Sequence, residues 1–168
     1  MMVKTHLALT TALALAFQEN IIPSPTLADI SIFAIGAYLG TVLPDIDEPN
    51  SYIGKRSLML SDVISTLLRH RGLTHFLIVP GLIWLLGQYF SDFEGINLAL
   101  NAVAFGWLSH IIGDILVGNG IRGLLFPIYS ERITLYPMNT VVVGGIFEFA
   151  LQILLSFAIV IQILQKML

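Results

Sequence analysis

Four histidines and a few carboxylates carry most of the chemistry available to this chain. The stretch "LPDIDEPNSYIGKRS" (43–57) gathers Asp45, Asp47 and Glu48 between Pro44 and Pro49, although the whole sequence has only 11 acidic residues. "RHRGLTH" (69–75) holds His70 and His75, and "SHIIGD" (109–114) holds His110 and Asp114. His6 and Glu148 stand apart, one near each end. Imidazole and carboxylate without thiolate suit zinc, manganese or iron, with zinc the usual hydrolytic choice. No cysteine occurs, which excludes thiolate sites and disulfides.

The spacings fit shared ligation. The prolines around "PDID" disfavour helix, and in an extended segment residues i and i+2 point the same way. Asp45 and Asp47 are therefore expected to face one ion. His110 and Asp114 are four apart and stack on one helical face, as two ligands or as a ligand with its orienting carboxylate. On one continuous helix His70 and His75 would diverge. Gly72 and Thr74 suggest a break instead, with His70 closing one helix and His75 opening the next.

The elements that must position these residues are apolar. The 168 residues are 56% hydrophobic and 11% charged, with a mean hydropathy of +0.85, whereas a soluble domain is about a quarter charged. The composition predicts an all-α integral membrane bundle forming one domain over 1–168. Its size suits about five helices of roughly 20 residues each. The expected spans are 6–22, 27–43, 75–90, 96–118 and 141–164, with Pro80 a kink in the third. "SLMLSDVISTLLRHR" (57–71) reads as an amphipathic interfacial helix, and 121–139 as an irregular re-entrant or interfacial connection. A net charge of −3 argues against nucleic acid as a partner.

Basic residues give the orientation. With the amino terminus cytoplasmic and five crossings, Lys4, Lys55, Arg56, Arg69, Arg71, Arg122 and Arg132 fall on the cytoplasmic side, leaving only Lys166 outside. Lys4, the short apolar run and "ALA" (14–16) also fit a secretory signal with a cleavage site. The same topology brings His6, Asp45, Asp47, His70, His75, His110, Asp114 and Glu148 to similar depths near the cytoplasmic face. Each has a plainer reading alone. Asp45 and Asp47 could end a span in a hydrated loop, "RHRGLTH" could hold anionic lipid, and His110 with Asp114 could be an interhelical pair. Glu148 could pair with an arginine, and His6 could be incidental. A metal site explains their convergence better than these readings jointly do.

The ordered set "THLALTTA", "GTVLPDIDEPNSYIGKRS", "RHRGLTHFL" and "GWLSHIIGDILVGNGIRGLLFPI" resembles the YdjM-like family of bacterial membrane-bound proteins, grouped as metal-dependent hydrolases. That family is placed distantly with the all-helical zinc phospholipase C and P1-type nucleases. The resemblance covers roughly residues 4–130. It implies His6, Asp45, Asp47, His70, His75, His110 and Asp114 as ligands; Glu148 lies beyond it. The secreted enzymes also use a mature amino-terminal tryptophan, whereas none precedes Trp84 here. Two metals rather than three are therefore expected.

The functional expectation is hydrolysis of a phosphate ester at two divalent ions, probing a phospholipid or lipid-linked substrate at the cytoplasmic membrane surface. Asp45 or Asp47 would serve as general base. Lys55, Arg56 and Arg71 would grip the phosphate, although their place on the cytoplasmic side needs no catalytic reason. The alternative is a non-enzymatic metal-binding membrane protein, an ion carrier or sensor. A carrier needs polar residues across the bilayer, and Gln18, Gln88 and Gln152 are the main ones in the outer halves. No HExxH or GxSxG motif points to another hydrolase chemistry.

Overall fold

The computed structural model describes residues 1–47, 73–137 and 140–168. The expected interfacial helix at 57–71 lies outside these residues. Five α-helices are described: α1 (Val3–Ile21), α2 (Leu27–Val42), α3 (Ile78–Tyr89), α4 (Glu94–Leu116) and α5 (Ile146–Met167). Short 3-10 turns occupy Leu43–Asp47 and Leu73–His75. A two-stranded antiparallel ribbon, β1 (Ile121–Arg122) with β2 (Arg132–Ile133), lies between α4 and α5. The all-α bundle expected from composition is thus what forms, with this small ribbon inside the stretch read as irregular.

Local sequence explains most of the boundaries. Thr26 caps α2 in a reciprocal box: its backbone N–H donates to Asp29 Oδ2 at 2.9 Å, and the Asp29 N–H donates to its hydroxyl at 3.2 Å. At the other end Pro44 removes a backbone donor, and α2 tightens into the 3-10 turn. "PDID" is therefore not extended. At three residues per turn, positions i and i+2 are about 240° apart, so the argument that alternation aims Asp45 and Asp47 together does not hold.

Three apolar helical stretches are long enough to cross a membrane: Leu27–Ile46, Glu94–Leu116 and Ile146–Met167. Helix α3, from an apolar run already short for a full span, has only 12 residues. At a rise of about 1.5 Å per residue it falls well short of a hydrocarbon core of about 30 Å.

Helices α2 and α4 make the closest pair. A Cβ on Gly40 would collide with the Val103 carbonyl oxygen, and one on Gly106 with the Ala37 carbonyl oxygen. Gly36 faces Ala102 in the same way, at 2.8 Å from its Cβ. "GAYLG" (36–40) is thus a small-residue seam that lets two backbones touch, which is how helices gain packing energy where lipid removes the hydrophobic incentive. The core beside this seam is Phe33, Ala37 and Ala102. Helix α5 packs chiefly on α1 and leaves most of its apolar surface exposed.

Candidate metal centre

The chain brings one end of every described helix to the same face: the starts of α1, α3 and α5 and the ends of α2 and α4. At that end Asp45, His75, His110 and Asp114 each offer a ligand atom, all within 4.8 Å of one another. His110 and Asp114 come from the last turns of α4, with Nε2 and Oδ2 3.5 Å apart. Asp45 enters from the 3-10 turn after α2; its Oδ1 lies 3.6 Å from His110 Nε2 and 4.0 Å from His75 Nε2. His75 closes the second 3-10 turn, its Nε2 3.5 Å from Asp114 Oδ2. His6 approaches from α1, its Nε2 3.1 Å from Asp114 Oδ1. Its ring lies flat on His110, with centroids 4.0 Å apart and planes within 5°.

Surrounding groups fix the ligands. His110 Nδ1 lies 2.7 Å from the Thr41 carbonyl oxygen. A carbonyl only accepts, so Nδ1 carries the proton and Nε2 keeps its lone pair turned to the cluster. His75 Nδ1 is held by the Thr74 hydroxyl at 3.0 Å, and the Trp107 indole donates to the Thr74 carbonyl at 2.7 Å, tying that turn to α4. Gly113 makes room for His6: a Cβ there would stand 2.8 Å from His6 Nδ1. Beneath the rings, the hydroxyls of Thr10, Thr41 and Ser109 form a buried chain with steps of 2.7 and 2.9 Å.

The donor set fits a cation. The Nε2 atoms of His6, His75 and His110 are buried without a hydrogen-bond partner. They converge on two carboxylates, one of them buried. Orphaned buried nitrogens each cost about 1–3 kcal/mol, and crowded carboxylates repel. A divalent ion among them removes both costs, and two imidazoles with two carboxylates are within the usual zinc or manganese repertoire. A cleft of about 260 Å³, lined in part by Asp114, Asn119, Gly120 and Val141, opens beside the cluster.

Other residues expected at the site stand differently. Glu148 is fully buried, yet its oxygens accept backbone N–H groups, from Met2 at 2.6 Å and Gly144 at 2.7 Å. It braces the start of α5 against the start of α1 and does not join the four-residue group. The Met1 nitrogen lies 2.7 Å from Asp114 Oδ1. His70, Lys55, Arg56 and Arg71 lie outside the described residues, as does the side chain of Asp47. Sequence reasoning passed over Thr41 and Gly113, and read Thr74 only as a helix start. Only Gly113 left a trace in the sequence, as a glycine inside a helix between two ligands. It also passed over Asn97 and Asn101, which join Gln88 in a polar chain on the far half of α4: Asn101 donates to Asn97 at 2.7 Å and Gln88 to Asn101 at 3.2 Å.

An all-helical membrane bundle with a buried histidine–aspartate group at one end is the class that fold and site define. The chain belongs to the family of YdjM inner membrane proteins, whose model it matches over residues 1–167. It is similar to the inner membrane protein YdjM of Escherichia coli (strain K12) and of Shigella flexneri. Each is 36% identical over 127 residues, covering 73% of this chain and 63% of the relative. It is also similar to the uncharacterized protein YvsG of Bacillus subtilis (strain 168), 32% identical over 99 residues and covering 59% of each chain. The match thus spans less than two thirds of the length of these relatives. No solved structure matches the chain.

Proposed function

We propose that this chain is a membrane-embedded, metal-dependent hydrolase of phosphate esters, working on a phospholipid or lipid-linked substrate at the cytoplasmic face. One observation carries the reading: Asp45, His75, His110 and Asp114 place ligand atoms within 4.8 Å of one another, in a pocket where the imidazole Nε2 atoms have no hydrogen-bond partner. A divalent ion held there supplies Lewis-acid polarisation of a phosphoryl oxygen and a lowered pKa for water.

The side chains supply the rest. His110 presents its Nε2 lone pair in a tautomer fixed by the Thr41 carbonyl, His75 turns Nε2 to the same group, and buried Asp114 bridges them toward His6. Asp45 is the least buried of the four, which suits a carboxylate that takes a proton from attacking water; Asp47 is the other candidate base. The ligand set proposed for two zinc ions, with manganese or iron as substitutes, adds His6, Asp47 and His70. Lys55, Arg56 and Arg71 are assigned to the substrate phosphate. The kinship to phospholipase C and P1-type nucleases enters as analogy only.

A carrier fits less well. The apolar layer of Phe33, Ala37 and Ala102 lies along α2 and α4 between the Thr10–Thr41–Ser109 hydroxyls and the Asn97–Asn101–Gln88 chain. Polar groups therefore do not run continuously across the described bundle.

The test uses purified protein in lipid nanodiscs, loaded with zinc or manganese, and offered phospholipids and bis(p-nitrophenyl) phosphate. Hydrolysis should appear with metal and fall by about 100-fold or more in Asp45→Asn. A metal-loaded protein that cleaves neither substrate would overturn the hydrolase reading and leave a metal sensor.

A further inference from the structure

The ribbon between α4 and α5 has a surface that the metal cluster does not use. Its register pairs Ile121 with Ile133 and Arg122 with Arg132. Ile121 packs inward with Ile111 and Leu124, so strand alternation throws Arg122 and Arg132 outward together, and both are exposed. Two like charges directly opposite on a ribbon repel. Arg132 turns Nη1 to the carbonyls of Asn119 and Gly120, at 2.9 and 3.3 Å. Among the described residues no carboxylate forms an ion pair with either arginine.

The far end of the same ribbon is apolar. Leu125 bridges to Tyr129, and Phe126, Tyr129 and Ile128 are 48%, 48% and 93% exposed. The tip is held in place: the Leu77 N–H donates to the Leu124 carbonyl at 2.9 Å, and Phe126 stacks on Phe76 with centroids 5.1 Å apart. Two residues lie between each arginine and the Leu125–Tyr129 bridge, and on the first side they form a turn at Gly123, whose φ is 68°. An interfacial element buries its apolar side by about 5–10 Å below the headgroups.

We propose that this ribbon is an anionic-lipid contact, its tip buried at the acyl boundary while Arg122 and Arg132 share the phosphate of one anionic phospholipid. A phosphate between them removes the like-charge repulsion and accepts from two guanidinium forks. The apolar tip beside the pair selects a lipid phosphate over a free one. This surface is separate from the proposed hydrolytic site and does not depend on metal.

The test uses the full chain in nanodiscs. Since the sequence has no cysteine, Ile128→Cys takes a single environment-sensitive fluorophore. Its emission should be blue-shifted, quenched by shallow doxyl-labelled lipid and insensitive to aqueous iodide. Native mass spectrometry should then show retention of phosphatidylglycerol over phosphatidylcholine, lowered about five-fold by Arg122→Gln and unchanged by Lys4→Gln, an exposed cation on α1. A label quenched by iodide instead of lipid, or an unchanged lipid preference in Arg122→Gln, would overturn the proposal. So would loss of that preference on adding inorganic phosphate, which would assign the pair to a free anion.

Discussion

At the scale of single residues, each imidazole is oriented by a group that is not itself a ligand. The Thr41 carbonyl sets His110, the Thr74 hydroxyl sets His75, and the space over Gly113 sets His6. Gly113→Ala should push the His6 ring off Asp114 and weaken metal binding by about 10-fold, comparable to losing a supporting contact; a chelator-dye competition reads this directly. Glu148 predicts the opposite pattern. Glu148→Ala leaves two backbone N–H groups without acceptors, at about 1–3 kcal/mol each, and should lower the unfolding midpoint while metal per folded chain stays constant. Loss of metal from folded Glu148→Ala would return this carboxylate to the ligand set. His110 and Asp114 were legible because four residues is one helical face. Asp45 was legible by type, but the extended geometry used to aim it was wrong, because proline within the turn favoured a 3-10 helix. The Thr41 carbonyl was invisible, since a backbone oxygen has no sequence signature.

At the scale of elements, the cluster depends on how closely α2 and α4 approach, because one delivers Asp45 and the other His110 and Asp114. Gly40 and Gly106 set that distance. Gly106→Ala should cost about 1–3 kcal/mol through overpacking, measurable by denaturation in mixed micelles, and should loosen metal binding without touching a ligand. An unchanged stability would mean that the helices can separate freely. Helices were legible from long apolar runs. The ribbon was not, since two-residue strands show no alternation to read. Helix α3 came out shorter than its apolar run suggested because the chain first makes the turn at Leu73–His75 that places His75.

For the whole molecule, chain direction alternates so that the ligand-bearing ends of the described helices share one face, which the proposed orientation puts in the cytoplasm. Exposed Ser24 and Ser91 lie in the connections at the opposite end, and Thr140 precedes α5 at the cluster end. In the cysteine-free background, Ser24→Cys and Ser91→Cys should react with an impermeant maleimide on intact spheroplasts, and Thr140→Cys only after permeabilisation. Labelling of Thr140→Cys in intact spheroplasts would place the cluster outside. The proposed function stands on the claim that the cluster holds metal. The most direct measurement is metal content: the intact chain purified without chelator or histidine tag, with zinc, manganese and iron quantified per chain beside His110→Ala and Asp114→Asn. The account predicts about one to two equivalents, lost in both variants while helicity and detergent-solution size are kept. A folded wild-type chain that retains essentially none, even after reloading with each ion, would contradict it.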